Sequence, residues 1–214
     1  MTPPEQRSIA DLLESSREDR LPVIVEVGAH LGEESAVFDT ILDRCLHIMV
    51  EPDPRNIQTI IDHIHLGYFR RLLVGAISDS SGFKPFHFSD NSVDGFHSSG
   101  SLLEPTGHLK HSPHVTFPYT GMVMCYTLDE IFQRENLTYI DLLFTDVQGA
   151  EAAMIRGGQM ALSHTQYLFM EVEHTEMYRG EALRDELIRM LPGWVLTRDF
   201  GNNVLMRNGS SVIG

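Results

Sequence analysis

Residues 22–35 read PVIVEVGAHLGEES. An apolar run of strand length, Pro22 to Ala29, closes on a glycine turn, and from Glu33 to Arg44 the residues Val37, Phe38, Ile41 and Leu42, with Cys45 beyond, fall at helical spacing. A strand with so little polar alternation is one covered on both faces, the mark of a parallel sheet lying between helices. The stretch predicts a strand–turn–helix unit, and such units recur outward from it.

Leu46 to Glu51 (LHIMVE) reads as a second strand. Asp53 then caps a helix with Pro54 in its first turn, where a missing N–H is harmless, and Ile57, Ile60, Ile61 and Ile64 make its buried stripe before Gly67 ends it. Arg71–Ser78 is expected as strand three, Tyr139–Asp146 as strand four, Gly149–Arg156 as the next helix and Gln166–Val172 as strand five. Glu181–Met190 reads as a last helix, and Trp194–Phe200 with Asn203–Arg207 as a closing antiparallel hairpin. The expected fold class is α/β, a doubly wound, mostly parallel sheet with helices on both faces. It forms one domain over residues 1–214, with residues 1–20 a helical extension ahead of the first strand.

Between strands three and four, residues 82–125 fit no periodic template and carry Ser, Gly, Pro, aromatics and five histidines, His87, His97, His108, His111 and His114. An irregular stretch of that length in a compact domain is expected to be a substrate-selecting lid. Its aromatics have a homodimer contact as their alternative use.

Lys and Arg number 16 against 30 Asp and Glu, a formal charge of −14 on 214 residues. That field repels phosphate backbones and anionic lipid surfaces, so neither nucleic acid nor a membrane is expected as partner. No apolar run approaches the ~20 residues of a membrane span, and the opening MTPPEQRSIADLLESS has no leader pattern. Cys45 and Cys125 follow no metal spacing and read as core thiols. A cytoplasmic protein is the expectation.

In a doubly wound sheet the ligand lies beyond the carboxyl ends of the strands. Gly28 and Gly32 let the first strand turn tightly against a ligand, but His30 and Glu33 stand where a dinucleotide fingerprint requires glycine. An acid at a pyrophosphate site would repel it, which disfavours a nicotinamide oxidoreductase and favours an adenosyl ligand without phosphates. Glu26 interrupts an apolar strand and needs a cationic partner, either a ligand ammonium or sulfonium or an internal arginine such as Arg71 or Arg198. Glu51 ends strand two at the offset where an acid holds ribose hydroxyls, and Ser78 and Asp79 end strand three where an adenine edge would lie.

Strand four ends in Asp146 and strand five in Glu171, Glu173 and His174. Asp146 or His174 would take a proton from an acceptor hydroxyl, the favoured reading. The other is that Asp146, Glu171 and Glu173 hold a divalent metal such as magnesium.

The segments VIVEVGAHLGEES (23–35), VEPDP (50–54), GAISDSSG (75–82), TLDEIF (127–132) and IDLLFTDVQGAEAAMIRGG (140–158) together resemble the FkbM-like family of S-adenosylmethionine-dependent methyltransferases. The resemblance implies a Rossmann-like class I fold with seven strands, and methyl transfer from S-adenosyl-L-methionine to a hydroxyl of a sugar or natural product, a small-molecule acceptor. By position it assigns Glu26, Gly28 and Gly32 to the methionine half, Glu51 to the ribose, Ser78 and Asp79 to the adenine, and Asp146 to the end of strand four. His30, Ser35 and Pro52 fall in the same set. Two departures stand out: the family often has Asp where Glu26 stands, and often Lys where Phe144 stands. A domain that binds the cofactor without turnover is the remaining alternative.

Overall fold

The computed structural model describes residues 1–15, 20–41, 44–63, 69–91, 93, 95 and 97–210. Helix α1 (Pro3–Ser15) precedes β1 (Val23–Val27), α2 (Glu33–Ile41), β2 (Leu46–Glu51) and α3 (Pro54–His63). Then come β3 (Arg70–Val74), the two-residue β4 (Ala76–Ile77), β5 (Gly82–Asn91), the single turn α4 (His108–His111) and β6 (Val115–Tyr126). α5 (Leu128–Arg134) leads to β7 (Ile140–Thr145), and α6 (Glu151–Arg156) with α7 (Gln159–Ser163) to β8 (Thr165–Glu171). α8 (Arg184–Arg189) and the hairpin β9 (Trp194–Asp199) and β10 (Asn203–Asn208) close the chain. Leu42, Ile64 and Gly67, expected in or at the end of helices, lie outside the described residues.

The main sheet has seven strands in the order β3-β2-β1-β7-β8-β10-β9, parallel from β3 to β8, with β10 antiparallel to both its neighbours. All five residues of β1 are buried, which is why its sequence shows no alternation. Val25 and Val27 pack with Ile48, Val50, Leu143 and Met154 on one face, while Ile24 meets Phe38 and Leu142, with Ile9 and Leu13 of α1, on the other. Removing the Leu143 side chain from such a site costs about 2–5 kcal/mol. From β1 the chain winds outward through β2 and β3 and then crosses back to β7 on the other side of β1. The connections that leave the carboxyl ends of β1 and β7 therefore run to opposite sides, and a crevice opens above those ends.

Two expectations change. Strand three is broken: β3 ends at Val74, and after Gly75 (φ +154) the chain enters a second sheet, order β4-β6-β5. A Cβ at Gly75 would stand 2.6 Å from the Met124 carbonyl oxygen, so glycine is required where the chain changes sheet. Much of the irregular stretch 82–125 is also ordered, with β5 and β6 paired antiparallel from Gly82↔Cys125 to Asn91↔Val115. Phe86 and Phe88 face inward beside Val123 and Cys125, whereas Phe83 and Met122 lie exposed and Pro85 stands within the strand, which obscures its period of two. No helix among the described residues is long and apolar enough to cross a membrane.

Candidate functional site

A cavity of about 410 Å³ lies over the crevice, lined at the strand ends by Gly28, Glu51 and Asp146. Gly28 (φ +86) donates its N–H to Val50 O at 2.9 Å, and Asp146 donates its own to Val27 O at 2.9 Å. A Cβ on Gly28 would meet the Asp146 carbonyl at 1.9 Å, so the turn brings bare backbone to the cavity floor. Gly75, Ala76 and Ile77 line one side, and Phe86, His97, Ser98, Gly100 and Leu102 line another. The second sheet and residues 97–102, which lie between β5 and β6, thus form a wall of the cavity.

Glu51 is 4% exposed. Its Oε1 accepts from Asp53 N at 2.8 Å and Asn56 Nδ2 at 3.1 Å, and its Oε2 from His30 N at 2.9 Å. Burial outweighs these bonds and pushes the carboxyl up to about 7. A carboxylate has about four acceptor positions, so Glu51 keeps one for a ligand hydroxyl. His30 (φ 48) turns its ring to Glu33, with Nδ1 and Oε1 3.0 Å apart. Burial opposes its charging, but the bond to Glu33 and the charges of Glu51 and Asp146 win, holding the imidazole above its usual range.

The turn after β7 is pinned by Gln148 (φ 52). Its Nε2 donates to Asp146 Oδ1 at 2.6 Å and Glu171 Oε2 at 2.8 Å, and its Oε1 accepts from Tyr178 Oη at 2.7 Å. Ser101 Oγ donates to the Gln148 carbonyl at 2.6 Å, and Tyr178 Oη also lies 2.9 Å from Ser99 O, so the wall and the turn are tied together. Burial, then the charge of Asp146, pushes Glu171 well above the usual carboxylate range. Burial likewise pushes Glu151, which accepts from Val147 N, up to about 8.

Several expected site residues lie elsewhere. Glu26 is fully buried and does not line the cavity, because it shares the face of β1 that carries Ile24. Its Oε2 stands 2.7 Å from His47 Nε2 on the adjoining strand and accepts from Ser35 Oγ at 2.5 Å, so the side chain beside it is a histidine rather than Arg71 or Arg198. Arg71 is paired with Glu135, and Arg198 donates to Thr197 O. Ser35 is thereby committed to Glu26, and Gly32 (φ +86) closes the turn into α2 without reaching the cavity.

Pro52 and His30 do line the cavity. Ser78 and Asp79 do not, since the break at Gly75 carries them beyond it, where Lys84 Nζ binds Ser78 Oγ at 2.7 Å and Asp79 Oδ1 at 2.8 Å. His174 is exposed, its Nε2 3.2 Å from Gly201 O, because β8 ends at Glu171 and the chain then runs out to the surface. Glu173 accepts from Asn202 Nδ2 at 3.4 Å, and the Gln148 amide stands between Asp146 and Glu171. Among the described residues no group of three His, Cys, Asp or Glu side chains is arranged to hold a metal ion.

Asn56, Ser98, Gln148 and Tyr178 were not singled out from the sequence, whereas His97 is one of the histidines of the expected substrate-selecting segment. Of the other four, Gln148 alone left a signal, a polar residue inside the DVQGAE turn.

The seven-stranded sheet with its crevice beside β1 is the Rossmann-like fold of methyltransferases. Monomeric WbdD matches with a TM-score of 0.53 and 13% identity over 98% of this chain, which spans 42% of the WbdD chain. A putative caffeoyl-CoA O-methyltransferase from Staphylococcus aureus matches with a TM-score of 0.53 and 12% identity, covering 96% of this chain and 83% of that one. The chain belongs to the methyltransferase FkbM domain family, whose model matches residues 26–204. It is 31% identical over 208 residues to the 2-O-methyltransferase NoeI of Sinorhizobium fredii (strain NBRC 101917 / NGR234), covering 94% of this chain and 84% of that protein.

Proposed function

We propose that this protein transfers a methyl group from S-adenosyl-L-methionine to a hydroxyl of a small polyhydroxylated acceptor such as a sugar. The observation that carries the reading is the 410 Å³ cavity at the switch point, with bare Gly28 backbone on one side and buried Glu51 on the other. Its size is that of a small-molecule site. Bound there, the cofactor supplies a methyl group on a sulfonium. Glu51 would accept a ribose hydroxyl, Gly75 to Ile77 and Pro52 would flank the adenine, and the raised imidazole of His30 would face the carboxylate end. Glu33 and Glu34 of the first turn of α2 line the same cavity, which makes it hostile to a pyrophosphate and supports this reading over a nicotinamide oxidoreductase.

Asp146, oriented by Gln148, would receive the acceptor hydroxyl. For the proton we assign His97, which lines the cavity where His174 does not. Its Nδ1 is shut away 3.9 Å from Asp90 Oδ1, leaving the other ring nitrogen for the acceptor. The 2-O-methyltransferase name of the S. fredii relative supports a hydroxyl acceptor. Incubation with methyl-labelled S-adenosylmethionine and a panel of hydroxylated compounds is expected to yield a labelled ether. Label transferred to amines or thiols but to no hydroxyl would overturn the acceptor assignment.

A further inference from the structure

Behind the Gln148–Ala150 turn lies a second cavity, of about 820 Å³, which shares the lining residues Leu102 and Ala150 with the first. Its floor is made of small residues at the start of α6, Gly149, Ala150, Ala152 and Ala153, and this absence of bulk holds it open. Pro85, Leu102, Leu103 and Met190 give it apolar strips.

Its rim carries three cations, Lys84, Arg156 and Arg189, and three carboxylates, Asp79, Glu181 and Glu186. Asp79 lies 2.8 Å from Lys84 Nζ and 3.7 Å from Arg156 Nη2. Glu181 accepts from the backbone N–H groups of Met177 and Tyr178, and Glu186 from Leu183 N at 3.1 Å. Cations and acids are matched, so the groove has no surplus charge with which to hold an anion. What it offers is hydrogen-bond donors and acceptors together over an apolar floor, which suits hydroxyl groups and the C–H faces of sugar rings.

We propose that this groove is the acceptor subsite and that it takes a neutral polyhydroxylated chain, an oligosaccharide, which extends one hydroxyl past Leu102 and Ala150 into the first cavity. The proposal rests on the methyl-transfer reading and adds to it where the acceptor lies and that it is uncharged. It also gives the wall segment a function: Leu102, fixed through Ser101 to the Gln148 carbonyl, is the sill between cofactor and acceptor.

The test is saturation-transfer NMR of neutral di- and trisaccharides and their phosphorylated counterparts, with and without S-adenosylhomocysteine, on wild type, Ala153→Trp and Arg156→Ala. Ala153 is half-buried on the groove floor and Arg156 is exposed on its rim. Neutral sugars are expected to bind the wild type. Ala153→Trp should weaken them by about tenfold or more, and Arg156→Ala by a few-fold, with S-adenosylhomocysteine affinity unchanged in both. If Ala153→Trp loses S-adenosylhomocysteine as well, its fold is damaged and Arg156→Ala decides. Sugar binding unaffected by both substitutions, tighter binding of the phosphorylated set, or no sugar binding by the wild type overturns the proposal. Failure of the wild type to bind S-adenosylhomocysteine would instead strike the methyl-transfer reading, since sugar binding is read separately.

Discussion

At pH 7 the Glu51 carboxyl is near half-ionised, because burial sets its pKa at about 7 in spite of the three hydrogen bonds it accepts. A ligand hydroxyl donated to it favours the charged form, so cofactor binding should release a proton and tighten as pH rises. At pH 6 roughly a tenth of the protein carries the ionised carboxylate, and the apparent affinity should be about tenfold weaker than at pH 8. Calorimetry in buffers of different ionisation heat reads the released proton directly; an affinity flat between pH 6 and 8 contradicts the role of Glu51. His97→Gln should lower turnover by ~10²-fold with cofactor affinity unchanged, and His174→Ala should leave turnover within a few-fold of wild type. Equal losses in both variants, measured with one acceptor, would return the proton to His174.

The carboxyl of Glu151, at the start of α6, is buried with its pKa pushed up to about 8. Because that lies above the unfolded value of 4.5, the folded state holds the extra proton. Its contribution to stability is complete below 4.5 and is lost as pH rises through about 8. Glu151→Gln keeps a neutral group there, so above pH 8 it should raise the melting temperature by roughly 2–4 °C for each kcal/mol recovered. A variant less stable than wild type at pH 8.5 would show that Glu151 is needed as an anion.

The elements differ in how plainly the sequence announces them. β1, β2 and β7 are buried throughout or nearly so, and an apolar run with a glycine or acid at its end states both the strand and the crevice residues Gly28, Glu51 and Asp146. β5 and β6 pair mainly with each other and expose Phe83 and Met122, so their pattern mimics an irregular loop. The partner of Glu26 was hidden for another reason. Which residue of β2 meets that carboxylate depends on how the two strands are staggered: His47, in register with Ile24 two positions before Glu26, lies on the same face and reaches it. His174 reads as a strand-end residue only if β8 is carried to Val172, two positions short of it; the strand stops at Glu171.

Across the whole molecule a net charge of −14 surrounds two neighbouring cavities, the first proposed to take an adenosyl ligand and the second an uncharged polyol. Neither cavity opposes the average field with a surplus of cations, in keeping with partners that carry no phosphate. Everything proposed for acceptor, proton and groove depends on the first cavity holding the methyl cofactor. The most direct test is calorimetric titration of wild type and Glu51→Ala with S-adenosylhomocysteine, with NAD as the competing ligand. The expected result is one site per chain for S-adenosylhomocysteine and none for NAD, with Glu51→Ala weaker by roughly 1.5–3 kcal/mol, tenfold or more. Binding of NAD in preference, or S-adenosylhomocysteine binding that ignores Glu51→Ala, would contradict it.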